Sequence, residues 1–129
     1  MRLLLDTHAF LWSVMEPEKL SSAAHRAILD LDNDVYVSAA VGWEIVIKHR
    51  LGKLTMPMSP ATYVPSRIAA LGFKSLNISL DHTLTIASLP QLHNDPFDRI
   101  MIAQAQFESM TLVTRDDRAR RYPVRTIEA

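Results

Sequence analysis

The sequence predicts an α/β fold, a single three-layer domain in which helices cover both faces of a central parallel sheet. Short apolar segments of strand length alternate with helical segments along the whole chain, as in parallel strands joined by helical crossovers. Ser, Asp, Pro and Gly residues mark the ends of the helical segments. The chain has 129 residues, of which 48% are hydrophobic and 22% are charged. That size and balance fit one globular domain over residues 1–129.

The first half of the chain is predicted to contain two strands and three helices. The apolar stretch that begins the chain is typical of a buried strand, and it stops at Asp6. Ser38 is a good N-cap for the third helix, and Gly52 ends it. The predicted elements are a strand at 2–5, a helix at 9–14, a helix from 21 or 22 to 31, a strand at 35–37 and a helix to about 51.

The second half is predicted to contain three more strands and three helices. Pro60 begins a helix that ends at Gly72, because Pro suits the first helical position and Gly the residue after the last. Asp95 and Pro96 begin the most clearly marked helix, which ends near residue 109. The other predicted elements are a strand at 74–78, a helix at 80–88, a strand at 111–114, a helical turn at 116–120 and a strand at 124–127.

Composition excludes several kinds of site. The chain has no Cys, which excludes disulfides, thiolate metal sites and Cys nucleophiles. Its 3 Gly residues are too far apart for the loops that bind dinucleotides or nucleoside triphosphates. Because 14 Lys and Arg balance 14 Asp and Glu, any contact with nucleic acid has to be local or mediated by a metal ion. No apolar run is long enough for a signal peptide or a membrane span, so we expect a cytoplasmic protein.

Two acids follow predicted strands directly. Asp6 ends the first strand, and Asp116 comes two residues after the strand at 111–114. Ligands of open α/β sheets bind beyond the carboxyl ends of the strands, so both side chains are expected in one crevice if their strands are neighbours. Each acid also has a structural interpretation, because Asp commonly caps a helix or a turn. Taken alone, either acid is more often a cap.

Glu44 interrupts an otherwise apolar stretch at residues 41–47. A helix that is apolar nearly all round is largely buried, and a buried carboxylate requires a partner or a metal ion. The alternative is a salt bridge with Lys48, one helical turn later, on a partly exposed stripe. Both interpretations stay open from the sequence.

Asp98 is the third residue of the helix that Asp95 and Pro96 begin. An acid at this position can accept a hydrogen bond from the backbone N–H of the cap, which would be a structural role. The same first turn lies at the mouth of a helix packed on the sheet, so the carboxylate can also point into the crevice. Asp95 and Asp98 face one side of the helix, and only one of them need be functional.

Together these acids predict a site for a divalent metal ion. Clustered carboxylates repel one another, so one of them should titrate at unusually high pH unless a cation is present. Hard oxygen ligands select Mg²⁺ or Mn²⁺. Such a site suits the hydrolysis of phosphodiesters by metal-activated water.

Four segments, spread over nearly the whole chain, carry a further signal. They are LLLDTHAFLW at 3–12, SAAVGWEIVIK at 38–48 followed by LGKL at 51–54, HNDPFDRIMIAQA at 93–105 and TLVTRD at 111–116. In this order and at these separations they resemble the four acidic segments of PIN domains of the VapC toxin type. One such segment is a weak signal, whereas four in order are specific.

The resemblance implies a PIN-like nuclease domain that is a magnesium-dependent endoribonuclease, the toxin of a type II toxin–antitoxin pair. In that family the metal is held by acids that fall here on Asp6, Glu44, Asp98 and Asp116. We expect Asp6 and Asp98 to be the principal ligands of Mg²⁺, or of Mn²⁺. Thr7 matches a position that orders the site through its hydroxyl. The resemblance also implies an RNA substrate, a cognate antitoxin protein that covers the site, and a homodimer.

Three arginines flank the acids, namely Arg99, Arg115 and Arg118. Each is a candidate contact for RNA phosphates or for a carboxylate of the antitoxin, and the alternative is a solvated surface charge. The basic run at residues 115–121 is the best candidate path for RNA.

Two other functions compete with the nuclease. A receiver-type signalling domain has a similar size and binds Mg²⁺ with acids at strand ends, but it requires an acidic pair after the first strand. Here Thr7 and His8 follow Asp6 in place of that pair. Such a domain also requires a Lys after its last strand, and this chain has none there. A catalytically silent protein-binding domain on the same scaffold is the third candidate, and the retained acids count against it.

Overall fold

Five short strands form one parallel sheet, and six α-helices connect them. The computed structural model describes all 129 residues. The elements are β1 (Arg2–Leu5), α1 (Thr7–Met15), α2 (Ser22–Leu29), β2 (Asp34–Ser38), α3 (Ala39–Arg50), α4 (Pro60–Ala70), β3 (Lys74–Leu76), α5 (Leu80–Thr85), α6 (Pro96–Glu108), β4 (Thr111–Thr114) and β5 (Arg125–Glu128). None of the helices combines the length and the apolar character needed to cross a membrane.

The order of the strands in the sheet is β3-β2-β1-β4-β5, and every pair is parallel. The chain therefore moves outward from β1 in one direction through β2 and β3, and then returns to place β4 and β5 on the other side. Right-handed crossovers in opposite directions put their helices on opposite faces of the sheet. The predicted three-layer α/β fold is confirmed, and the strand order reverses between β1 and β4, where such folds place their ligands.

The ends of the helices follow the predicted capping chemistry. The hydroxyl of Ser38 accepts a hydrogen bond from the Ala40 backbone N–H at the start of α3. After α3 and α4, Gly52 and Gly72 adopt φ angles of 73° and 69°, a left-handed conformation that glycine reaches without steric cost. These residues determine where the chain leaves each helix and turns toward the next element.

Several predicted boundaries differ from the structure by one or more residues, and three of the differences bear on the strands and helices described here. The third strand ends at Leu76 and not at residue 78, because its partner on β2, Ser38, is the last residue of that strand. Helix α5 ends at Thr85 and continues only as a 3₁₀ turn over Ile86–Ser88. Helix α1 begins at Thr7, two residues earlier than predicted, because Asp6 caps it directly.

The core surrounds β1, the central strand. Leu3, Leu4 and Leu5 are fully buried, so both faces of this strand are covered, as is usual in parallel sheets. Helix α6 presents a run of buried residues from Arg99 to Ala105 to the same core. Burial of these three leucines fixes the carboxyl end of β1, which Asp6 follows directly.

Candidate functional site

An open cleft of about 480 Å³ lies beyond the carboxyl ends of β1 and β4. No hydrophobic residue lines it, and its walls carry six carboxylates against three cationic side chains. The lining residues are Asp6, Thr7, His8, Glu44, Lys48, Asp95, Asp98, Arg115, Asp116, Asp117 and Arg118. The four acids singled out in the sequence therefore line one cleft, although they come from four separate segments of the chain.

Asp6 lies at the base of the cleft, where β1 turns into α1. One carboxylate oxygen caps α1 by accepting from the Ala9 N–H at 2.7 Å, and the other accepts from the Thr114 hydroxyl at 2.7 Å. The second oxygen also accepts from the Arg115 N–H at 3.3 Å, which ties β1 to the end of β4. Burial raises the pKa of Asp6, and these hydrogen bonds oppose that rise. Asp6 is thus both a cap and a member of the cleft.

Glu44 is buried on α3, as a carboxylate in an apolar stretch was expected to be, and it forms the predicted salt bridge with Lys48. Its Oε2 lies 2.5 Å from Nζ of Lys48, one turn later on the same helix. Its Oε1 accepts a 2.5 Å hydrogen bond from the hydroxyl of Thr7 on α1. The carboxylate is therefore held between two helices at the edge of the cleft, with a cation compensating its charge.

Asp98 projects from the first turn of α6 and accepts no hydrogen bond from the capping residue. Asp95 alone caps this helix, accepting from the N–H groups of Phe97 and Asp98. Burial, followed by the nearby carboxylates of Asp95, Asp116, Asp6 and Glu44, raises the pKa of Asp98 to about 7. Four of the five other acids of the cleft therefore act on Asp98, and a divalent cation bound among them would offset this repulsion.

Asp116 caps the 3₁₀ turn Asp117–Arg121 that follows β4. It accepts from the backbone N–H of Arg118 at 2.9 Å and from the guanidinium of the same residue at 3.1 and 3.2 Å. Burial alone would raise the pKa of Asp116, but the hydrogen bonds and charge of Arg118 lower it below its usual value. Asp117, by contrast, points into solvent and pairs with Arg120.

The arginines separate into two groups. Arg115 and Arg118 are exposed and line the cleft, as the sequence suggested. The prediction that Arg99 faces RNA, the antitoxin or solvent is wrong. Its side chain is buried, and its guanidinium donates to the Pro90 carbonyl at 2.9 Å and to the Tyr122 hydroxyl at 3.1 Å. Interior acceptors hold this cation away from the surface.

His93 is a residue of the site that the sequence interpretation missed. It is buried, and its Nε2 lies 3.7 Å from one carboxylate oxygen of Asp98 and 3.7 Å from one of Asp116. Nε2 has no hydrogen-bond partner, which is rare for a buried polar atom. In the sequence His93 is only a histidine two residues before a helix cap. Its proximity to Asp116 depends on a tertiary contact.

The residues present fit a divalent cation. Nε2 of His93 and one carboxylate oxygen each from Asp98 and Asp116 lie within 4.8 Å of one another. Asp6 and Glu44 line the same cleft outside this closest group. Carboxylate oxygens are the ligands that Mg²⁺ and Mn²⁺ prefer, and a cation would offset the repulsion that raises the pKa of Asp98.

The chain is similar in sequence to known proteins over most of its length. The family model described as PIN domain matches residues 3–124. Ribonuclease VapC16 of Mycobacterium tuberculosis is 46% identical over 59 residues, which is 45% of this chain and only 42% of that protein. Ribonuclease VapC22 of the same organism is 29% identical over 119 residues, or 91% of this chain and 88% of that protein.

Solved structures share the fold at low sequence identity. The structure of VapBC2 from Rickettsia felis, bound to a DNA fragment from its promoter, matches with a TM-score of 0.74 and 16% identity over 98% of each chain. The structure of FitAcB from Neisseria gonorrhoeae matches with a TM-score of 0.62 and 23% identity, over 98% of this chain and 96% of that one. These proteins therefore share the fold of this chain.

Proposed function

The chain belongs to the PIN domain family, and on that premise we propose that it is a metal-dependent endoribonuclease that acts as the toxin of a type II toxin–antitoxin pair. The observation that carries the proposal is the convergence of carboxylates from four segments in one polar cleft. Two curated relatives are named ribonucleases, which supports RNA as the substrate. The receiver-domain alternative lacks such support, since the family that matches is a different one.

We assign the metal to Asp6, Glu44, Asp98 and Asp116, with Mg²⁺ or Mn²⁺ as the ion. Asp6 and Asp98 are the principal ligands in this proposal, and Glu44 and Asp116 complete the site directly or through water. When bound, such an ion supplies positive charge for the phosphate and activates water for attack on phosphorus. The network around Asp6 and Glu44 holds these carboxylates in fixed positions before any ion arrives.

The cationic side chains of the cleft would bind the RNA backbone. Arg115 and Arg118 lie on its rim, beside the acids. Because the formal net charge of the chain is zero, its attraction for RNA has to come from such local groups. Lys48 is already paired with Glu44, so it serves the site more as a partner of that acid than as a phosphate ligand.

The proposal includes two protein partners. A toxin–antitoxin complex from Klebsiella pneumoniae has a similar fold, which supports a cognate antitoxin that covers the cleft. A homodimer and a cytoplasmic location, where RNA is accessible, complete the proposed biology.

Removal of divalent metal should abolish RNA cleavage. We expect the purified chain to cut RNA with Mg²⁺ or Mn²⁺ and to lose that activity in excess chelator, because the carboxylates alone offer no positive charge to the phosphate. The measurement is gel analysis of a labelled RNA, with Ca²⁺ and a DNA of the same sequence in parallel. Unchanged cleavage in chelator would rule out the metal mechanism, and cleavage of DNA alone would change the substrate class.

Expression of the chain without a partner should slow the growth of a bacterial host. The expected arrest follows from RNA cleavage, so the Asp6→Asn variant expressed to the same level should be harmless. The measurement is colony formation after induction, with protein levels checked by immunoblot. A harmless wild-type chain that still cuts RNA in vitro would keep the enzyme and remove the toxin role.

A further inference from the structure

A chain of three buried side chains runs from α6 to the acids of the cleft. The guanidinium of Arg99 donates to the hydroxyl oxygen of Tyr122 at 3.1 Å. The same hydroxyl lies 2.8 Å from Nδ1 of His93. On the far side of the imidazole, Nε2 faces the carboxylates of Asp98 and Asp116 at 3.7 Å each. All three members of the chain are buried, so no bulk water competes for these contacts.

The direction of the hydrogen bonds follows from the donors and acceptors present. An arginine can only donate, so the Tyr122 oxygen accepts from Arg99 and its own proton is left for another partner. The only other hydrogen-bond partner of this hydroxyl is Nδ1 of His93. Nδ1 therefore accepts, and in the neutral ring the proton resides on Nε2. The imidazole N–H points between two acid oxygens.

We propose that Arg99, Tyr122 and His93 form a positioning relay, which holds the His93 ring as the Nε2–H tautomer and directs this donor at the carboxylates of Asp98 and Asp116. The role of those carboxylates as metal ligands rests on the proposed function, whereas the tautomer does not. His93 is a positioning residue in this scheme and not a metal ligand, since the nitrogen that faces the acids carries the proton.

The relay accounts for two otherwise unexplained features. Arg99 is buried where its guanidinium orients the Tyr122 hydroxyl. The unpartnered Nε2 of His93 can donate a hydrogen bond to either carboxylate after a movement of only about half an ångström. A donor shared between two acids draws them toward the same point. Residues that orient metal ligands in this way typically change metal affinity or activity by about 10–100-fold when they are removed.

The first test reads the tautomer directly. We expect long-range ¹H–¹⁵N correlations of the metal-free protein, labelled at histidine, to show Nε2–H for His93, with the same pattern after saturation with Mg²⁺. Assignment uses the His93→Gln variant, from which the signal disappears. Nδ1–H in the metal-free protein, or loss of the Nε2 proton with coordination on adding Mg²⁺, would overturn the relay. This readout does not depend on catalysis.

The second test removes a single hydroxyl group from the relay. Tyr122→Phe removes the hydroxyl and keeps the ring that packs edge-on against His93. We expect the Mg²⁺ affinity measured by calorimetry to fall by about tenfold or more. The matched control is Tyr63→Phe, at a buried tyrosine on α4 outside the cleft, which should bind Mg²⁺ as the wild type does.

Rescue by a conservative variant separates positioning from packing. His93→Gln retains an N–H donor and should keep more Mg²⁺ affinity than His93→Leu, which retains only volume. Equal Mg²⁺ affinity in wild type and Tyr122→Phe, with the His93 tautomer unchanged, would refute the relay. If wild type binds Mg²⁺ and shows Nε2–H yet cuts no RNA, the proposed function fails while the relay stands.

Discussion

Asp6→Asn is expected to lower the rate of RNA cleavage by about a hundredfold to a thousandfold, since a lost metal ligand removes several kcal/mol of charge stabilisation. The fold should persist. Asn caps a helix as well as Asp does, so the hydrogen bond from the Ala9 N–H survives. The side-chain NH₂ of Asn would replace the oxygen that accepts hydrogen bonds from the Arg115 N–H and the Thr114 hydroxyl, and these two bonds would be lost. The variant also avoids the free-energy cost of burying a charge. We therefore expect the free energy of unfolding to change by only about 1 kcal/mol.

The measurements for Asp6→Asn are single-turnover cleavage at saturating Mg²⁺ and thermal unfolding of the same samples. The control is Asp34→Asn, which removes one charge at the opposite end of the sheet, where Asp34 pairs with Lys74. It should leave cleavage unchanged. A variant of Asp6 that melts at a lower temperature yet cleaves at full rate would mean that this residue is only a cap.

Asp98→Asn is expected to reverse the usual effect of a site mutation on stability. Burial and the surrounding carboxylates raise the pKa of Asp98 from its ordinary value of 3.8 to about 7. The folded metal-free protein therefore holds this proton more tightly than the unfolded chain does, and its stability falls as the pH rises. After allowance for the solvent that reaches Asp98, ionisation costs the folded state about 2 kcal/mol. Asn never ionises and escapes that cost.

The pH window follows from the same two pKa values. Below about pH 4 both states of the wild type are protonated at this position, so wild type and Asp98→Asn should be equally stable. Between about pH 4 and pH 7 Asp98 is ionised in the unfolded chain but still protonated in the folded one. The wild type therefore loses stability relative to the variant as the pH rises through this range. Above pH 7 the difference should be constant, with the variant melting several degrees higher. RNA cleavage by the variant should be lost at every pH.

Thermal melts from pH 4 to pH 8.5, with and without Mg²⁺, test the Asp98 prediction. Mg²⁺ should stabilise the wild type, because an ion that binds only the folded state shifts the equilibrium toward it. The variant should respond far less. Asp117→Asn is the control, since Asp117 lies on the rim but is 81% exposed on its side chain, and its melting curve should follow the wild type. Equal pH profiles for all three proteins would contradict the raised pKa and the crowding of carboxylates.

Local chemistry explains why most elements could be predicted. Ser38 and Asp95 cap α3 and α6 as their side chains dictate, and Gly52 and Gly72 turn the chain after α3 and α4. The predicted end of the third strand was wrong because pairing with the neighbouring strand determines where a strand ends. Residues 77 and 78 have strand-like neighbours in sequence, yet the adjacent strand has already ended at Ser38.

Asp6, Asp98 and Asp116 could be singled out because each follows a strand or lies in the first turn of a helix, and parallel strands bring such positions to one edge of the sheet. Glu44 could also be singled out, because a carboxylate in an apolar helix needs a partner, and the structure supplies both Lys48 and Thr7. The spacing of Glu44 and Lys48 predicts their salt bridge. It could not predict the contact with Thr7, because Thr7 lies on a different helix.

The sequence by itself determined the order of strands and helices, the caps that bound them and the identity of the acids at the strand ends, because these depend on residues within a few positions of one another. Only the tertiary structure decided the placement of His93 and Arg99. Both owe their environment to Tyr122, 29 and 23 residues away along the chain, and packing at such separations leaves no periodic trace in sequence. The same folding that buried a predicted surface arginine brought an unremarked histidine to the carboxylates.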